Sequence, residues 1–271
     1  MLHFLGMRAT LVALLACIFA HLSNAQVILL SENRSVSASG WAQGEGAGLQ
    51  SYSFIQTPSA SFADFNGSVS GSADSTDVIP PDLGYGNLTL FPHHAKSQSN
   101  QTSTISPSAI AVSGSLLADE GGFAFGGGGS SLSLARSVFE VGFRVDAPIA
   151  YTLSAAPLLG FHQDSGGDGA SSLFDFSLTS ASHGVILNYY DFLGASLFGD
   201  SSGILQPDDY ILRLDVLAFT DPDPIGDFAA AEYSVSLTTT TVPESASTGL
   251  LLGLALAGLV AMRRRFAHLR R

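Results

Sequence analysis

The sequence predicts an all-β fold, a single β-sandwich domain of jelly-roll-like type, on three observations. Apolar residues alternate with period two in several stretches, the pattern of strands half buried on one face. Gly, Pro, Asn and Asp punctuate those stretches at short intervals. No stretch between Gln26 and Thr241 has convincing helical spacing. Many short strands with Gly/Ser turns favour a two-layer sandwich over a closed barrel. The 18 phenylalanines supply bulk to fill the space between sheets.

The elements follow in chain order. Residues 1–25 read as a secretory signal peptide: Arg8, an apolar stretch from Thr10 to Ala20, then Ser23-Asn24-Ala25, which places the cleavage between Ala25 and Gln26. The apolar stretch is too short to cross a hydrocarbon core of about 30 Å as a helix. The "LLAC" ending at Cys17 is similar to a lipoprotein box, but Ile18-Phe19-Ala20 would then open the mature chain with apolar residues, which disfavours lipidation. Residues 26–237 form the exported domain. Its first part, to about Leu90, is rich in Ser, Gly and Ala and reads as an irregular outer layer, with "SASGWAQGEGAG" (Ser37 to Gly48) as a loop. "SFADFNGSVSGS" and "AIAVSGSLLA" read as weaker strands, and "FAFGGGGSS" (Phe123 to Ser131) as a hinge or loop.

The stronger strands come next. In "SVFEVGFRVD", Phe139, Val141, Phe143 and Val145 share one side. "IAYTLSA" is a further strand. "LFDFSLTS" groups Phe174, Phe176 and Leu178, and "GVILNYY" groups Val185, Leu187 and Tyr189. A turn led by Pro207 launches "DYILRLDVLAF", which groups Tyr210, Leu212, Leu214, Val216 and Ala218. "EYSVSLTTT" adds Tyr233, Val235 and Leu237.

Residues 238–245 read as a linker, 246–262 as a single transmembrane helix and 263–271 as a basic cytoplasmic tail. The apolar run from Ala246 to Met262 carries no charge and is just long enough to span a bilayer. Arg263, Arg264 and Arg265 follow it at once and orient it with the domain outside the inner membrane.

Charge and cysteine usage exclude whole classes. The chain carries a formal net charge of −12 at pH 7. Between Gln26 and Thr241 the basic residues are Arg34, Lys96, Arg136, Arg144 and Arg213, too few to neutralise a phosphate backbone, so no nucleic-acid partner is expected. Cys17 is the single cysteine, and it falls in the leader, so the mature domain has neither disulfides nor thiol chemistry.

The C-terminal segment, Val242-Pro243-Glu244-Ser245 followed by a short apolar helix and an arginine cluster, resembles the PEP-CTERM sorting signal of Gram-negative bacterial surface proteins. Ser245 departs from that pattern, which has a second proline there. The resemblance implies an exosortase, a membrane-embedded cysteine transpeptidase, as processing partner, and hosts that make exopolysaccharide and biofilm. On it rests the expected path: an inner-membrane-anchored precursor, then the cell surface or extracellular space.

No reaction is legible. The Gly-rich stretch lacks the lysine of a phosphate-binding loop, no G-x-S-x-G is present, and the scattered glutamates form no glycosidase pair. The expectation is a non-enzyme without cofactor, structural or adhesive in the exopolysaccharide layer. The alternative is a carbohydrate-binding module with Trp41, Tyr52, Tyr85 or Tyr190 stacking on sugar rings, and a polysaccharide hydrolase of unrecognised spacing is less favoured still. Calcium would draw on Asp164 and Asp168 in "QDSGGDG" and Asp221, Asp223 and Asp227 in "TDPDPIGD". Neither matches an EF-hand, and turns use the same residue types, which is the favoured reading. His93 and His94 read as a surface pair in a loop.

Overall fold

The computed structural model describes residues 26–44, 46–77, 92–122, 129–162, 170–192, 200–220 and 227–242. These residues form β1 (Val27–Gln43), β2 (Gln50–Gln56), β3 (Phe65–Thr76), β4 (Pro92–Ser106), β5 (Ala109–Gly121), β6 (Ser130–Val145), β7 (Ile149–His162), β8 (Ala170–Ser180), β9 (Gly184–Phe192), β10 (Ser201–Leu205), β11 (Asp208–Thr220) and β12 (Phe228–Thr241). They build two antiparallel six-stranded sheets, in the orders β2-β1-β6-β11-β8-β9 and β10-β7-β12-β5-β4-β3. No helix occurs among the described residues, hence none long and apolar enough to cross a membrane. The expected leader (1–25), membrane helix (246–262) and basic tail (263–271) lie outside the described residues.

Strand order and pairing make one pattern from β5 onward. β8 pairs with β9, β7 with β10, β6 with β11 and β5 with β12, each antiparallel, like a long hairpin whose arms pass back and forth between the sheets. Two further ladders, β11 with β8 and β12 with β7, knit successive turns of that winding together. β1 and β2 extend the first sheet beyond β6, while β3 and β4 extend the second beyond β5.

Inward positions between the central strands carry the apolar residues that alternation requires. Phe139, Val141 and Phe143 of β6, Phe174, Phe176 and Leu178 of β8, and Leu153 of β7 are all fully buried. They pack with Leu212, Leu214 and Val216 of β11 and Val235 and Leu237 of β12 in one cluster. Aromatic pairs consolidate it: Phe143 stacks on Tyr210 with centroids 5.5 Å apart, and Phe174 meets Tyr189 edge-on at 5.8 Å.

The flank beneath β1 and β4 is filled differently. The inward residues of β4 are His93, Ala95, Ser97, Ser99, Gln101, Ser103 and Ile105, all buried. Facing them, β1 presents Arg34, Val36, Ala38, Gly40 and Ala42. Hydrogen bonds take the place of bulk here. Gln101 Nε2 donates to Ser137 Oγ at 2.8 Å, Ser99 Oγ to the Arg136 carbonyl at 2.9 Å, and Tyr233 Oη shares a short hydrogen bond with Ser137 Oγ. The Tyr233 ring lies over Gly114, where a Cβ would come within 2.4 Å of its hydroxyl, so only glycine admits it.

Five sequence readings change. The stretch to about Leu90, expected as an irregular outer layer, holds β1, β2 and β3, all paired into the two sheets, because small and polar residues can alternate as strictly as large ones. The Ser37–Gln43 part of the expected loop belongs to β1, since small inward residues at every second position still make a strand. The histidine pair lies on β4, with His93 fully buried and bonded through Nε2 to Asp77 Oδ1 at 2.9 Å, and His94 on the opposite face. Val185 leaves the side shared by Leu187 and Tyr189, because a bulge at Leu178/Thr179 shifts the β8–β9 register. β12 continues through Thr241, four residues beyond the expected boundary at 237, with Thr238–Thr241 paired to Thr152–Ile149.

Arg34 is a charged group enclosed in the interior, which is costly unless it is paired. Its fully buried guanidinium pairs with Glu32 Oε2 at 2.7 Å, donates to Ser103 Oγ at 3.1 Å, and sits 5.7 Å from the centre of the Phe65 ring. Removing one partner of such a pair strands a charge in low dielectric. Arg34→Ala is therefore expected to lower the unfolding free energy by about 3–5 kcal/mol in urea denaturation, and the Glu32→Gln/Arg34→Met double variant to recover most of that loss.

Candidate functional site

The registers place both ends of the described domain at one pole. Val27 pairs with Val145, the chain turns at 146–148, and Ile149 pairs with Thr241. Thr239 is held from the other side as well, its N–H donating to the Ser108 carbonyl at 3.0 Å and its hydroxyl to the Pro107 carbonyl at 3.1 Å. Gln26, which would follow the expected cleavage, and Val242, which opens the sorting segment, therefore emerge close together. Ala25, Pro243, Glu244, Ser245, Arg263, Arg264 and Arg265 lie outside the described residues.

The same pole carries a Ser/His/Asp grouping that no sequence motif announced. Asp208 accepts hydrogen bonds from the hydroxyls of Ser180 and Ser182 and from the Ser182 N–H at 3.0 Å. His183 Nδ1 lies 3.2 Å from Ser180 Oγ, 3.0 Å from Ser182 Oγ and 3.6 Å from Asp208 Oδ2. In a hydrolytic triad one imidazole nitrogen takes the serine proton while the other is held by the carboxylate. Here one nitrogen faces all three groups, and both hydroxyl protons already go to Asp208. The grouping fastens the 181–183 turn to the start of β11. The donated hydrogen bonds, Ser180 first and then Ser182, hold the Asp208 carboxyl far below the usual carboxylate range.

Elsewhere the arginines of the described domain face acidic groups. Arg136 grips Asp215 through Nε at 2.8 Å and through Nη2, Arg213 lies 3.6 Å from the same carboxylate, and Arg144 holds Asp209 at 2.6 and 2.9 Å. Each of the Arg136 and Arg144 contacts is bidentate, the favoured fork geometry. Inside the sandwich, burial pushes the Tyr233 hydroxyl up to about 12 against the opposing bonds from Ser137 and Gln101.

Among the described residues, the sugar-stacking candidates do not meet. Trp41 is half-buried on β1, and Tyr52 of β2 inserts toward Gly40 and Gly71 with its hydroxyl on Ser97 at 2.9 Å. Tyr190, 62% exposed, stands on β9 at the opposite edge of that sheet, and Tyr85 lies outside the described residues. Of the calcium candidates, Asp227 is buried at the root of β12, where its carbonyl accepts the Glu120 N–H at 2.9 Å. Asp164, Asp168, Asp221 and Asp223 lie outside the described residues, and among the described residues no group of three or more acidic, His or Cys side chains is arranged to hold a metal ion.

With that geometry in place, comparison with known proteins bears on the C-terminus. Residues 241–266 match the VPDSG-CTERM motif. This is a C-terminal sorting-signal motif related to PEP-CTERM. Ser245 thus stands where the motif's name has serine, and Glu244 and Ala246 replace its aspartate and glycine. The motif implies an exported, surface-sorted protein processed by a sorting enzyme at the membrane. No curated protein matches the chain. Among solved structures, "Structure of infectious bursal disease virus Gx strain" is similar at 10% identity over 83% of this chain and 68% of that chain, with a TM-score of 0.15 that carries no argument.

Because the Asp208 carboxyl is depressed in the folded state, its contribution is present above the ordinary carboxylate range and is lost as pH falls through the folded value. The melting-temperature gap between wild type and Asp208→Asn is expected to be full at about pH 5 and above and to shrink steadily below about pH 4, followed by circular dichroism.

Proposed function

We propose that this protein is the precursor of a non-catalytic surface or matrix component, a jelly-roll sandwich exported across the inner membrane. An exosortase-type enzyme then processes its C-terminal signal and releases it into an exopolysaccharide or biofilm layer, where its role is structural or adhesive. The observation that carries this reading is the fusion of the sorting motif to β12, at the pole that also holds Gln26. Leader and anchor, the two segments that must contact the bilayer during export, are then attached to the same end of the domain. The nested pairing of β5–β12 supports the jelly-roll assignment.

Mass spectrometry of the protein recovered from its native host tests the path. Surface material is expected to lack everything from Ala246 onward. Replacing Arg263, Arg264 and Arg265 by serine is expected to leave a full-length precursor in the membrane or cytoplasmic fraction. An intact tail on mature surface protein overturns the processing step.

A second reading, a calcium-dependent carbohydrate-binding module, draws on strand adjacency. His162 at the end of β7 pairs with Phe228 at the start of β12, and Ala170 at the start of β8 pairs with Thr220 at the end of β11. The connections carrying Asp164, Asp168, Asp221 and Asp223 therefore leave from neighbouring strand ends. Under this reading, millimolar calcium raises the melting temperature by several degrees and a chelator reverses the rise. A melting temperature indifferent to both removes calcium.

A further inference from the structure

Gln26 is tied to the domain more firmly than a residue ahead of the first strand requires. Its backbone N–H donates to Asp146 Oδ1 at 2.7 Å, and its carbonyl accepts the Asp146 N–H at 3.4 Å. The two bonds close a ring between the lead into β1 and the turn joining β6 to β7, and Val27 paired with Val145 holds it in register. The other charged groups of this pole are engaged elsewhere. Arg144 and Asp209 hold each other, and Asp208 takes its donors from Ser180 and Ser182. Among the described residues, the Asp146 side chain is the carboxylate on this pole that faces the Gln26 nitrogen.

We propose that Asp146 is the receiving site for the α-ammonium group created when the leader is cut between Ala25 and Gln26, and that this pairing keeps Gln26 from cyclising. The proposal rests on that cleavage reading. In the precursor the Gln26 nitrogen is a peptide amide, and the contact is a neutral N–H on a carboxylate. Cleavage turns the same nitrogen, at the same place, into an ammonium, and the contact becomes charge-assisted. A free N-terminal glutamine is chemically unstable. The lone pair of its α-nitrogen attacks the side-chain amide carbon, a nitrogen–Cδ bond forms, the Cδ–Nε2 bond breaks, and ammonia departs with the proton that the α-nitrogen loses. No redox partner is needed, but the amine must be unprotonated and free to swing onto its own side chain. An adjacent carboxylate favours the protonated form and holds the nitrogen on the protein.

The test uses the full chain, exported and recovered from the periplasmic or surface fraction, as wild type and as Asp146→Asn. Melting curves establish that both are folded, which the exposed position and the retained acceptor oxygen favour. N-terminal peptides are then followed by mass spectrometry during incubation at mildly alkaline pH, and α-amine reactivity is titrated with an acylating reagent. Wild type is expected to begin at an intact Gln26. Asp146→Asn is expected to lose ammonia about threefold to tenfold faster and to become reactive at lower pH. Equal rates and equal titrations in the two proteins, with Gln26 first in both, overturn the pairing. A mature terminus at any other residue overturns the proposal by overturning the cleavage reading beneath it.

Discussion

Everything in this domain depends on β12 being gripped along both edges. From Phe228 to Thr238 it pairs with β5 on one side and β7 on the other, and it lies at the centre of its sheet. The strand nearest the C-terminus therefore completes the sheet. β5 and β12 are also far apart in sequence, so their ladder closes a very large loop, a late and slow event for a chain dominated by non-local pairs. The proposed export of an unfolded chain suits that order of events, because the second sheet cannot finish before its last strand has arrived. The sorting segment begins where that strand ends, so completing the fold and presenting the tail are consecutive steps along one stretch of chain.

The two sides of the sandwich are held by different forces. Between β6, β8 and β11 on one side and β7 and β12 on the other, phenylalanine and leucine exclude water, and stability follows apolar burial. Beneath β1 and β4 the interior is built from Ala, Ser and Gly, bridged by hydrogen bonds of Gln101, Ser99 and Tyr233 and by the buried Arg34 pair. Such contacts add little net free energy when complete but are costly to leave incomplete, so they select one register over its neighbours. That selection matters most here, where small side chains alone would let strands slip by two residues with little change in packing.

What could be read from the residues follows the same division. β6, β8, β11 and β12 announce themselves because large apolar residues recur at every second inward position while charged or polar residues such as Glu140, Asp175, Arg213 and Glu232 interrupt the outward ones, and every inward residue grouped on those strands is buried. β4 alternates just as strictly in space, but His93, Ser97, Ser99 and Gln101 inside face the same way as one another without differing in polarity from Lys96, Gln98 and Asn100 outside. Hydropathy periodicity has no contrast to detect in such a strand. β1 hides for a related reason, its inward Ala38, Gly40 and Ala42 being the small residues also used in loops. The C-terminal signal was legible because its parts are contiguous. Asp146 and the Ser180–Asp208 grouping were not, since their partners are brought together only by long-range pairing of strands.

The polarity of the domain connects the fold to its proposed route. Turns at 107–108, 146–148, 181–183 and 206–207 all lie at the pole carrying Gln26 and Thr241, and all are short. The connections 44–49, 78–91, 123–128, 163–169, 193–199 and 221–226 leave from strand ends at the other pole, while 57–64 joins β2 to the start of β3 on the near side, where Phe65 pairs with Ser103. Between Thr241 and Ala246 lie four residues, which even fully extended reach no more than about 17 Å. In the proposed precursor a membrane-embedded enzyme works inside that gap, and bulky loops on the near pole would close it. Around Gln26 and Thr241 the turns are short, and 107–108, 146–148 and 206–207 carry proline, which keeps that part of the near face low. β5 begins at Ala109, opposite Thr238, and Thr239 is still tied to the 107–108 turn, so Thr240 and Thr241 pair with β7 alone. Those residues can peel away to lengthen the tether while the doubly paired part of β12 stays in place, and the enzyme can reach its motif without unfolding the domain it is about to release.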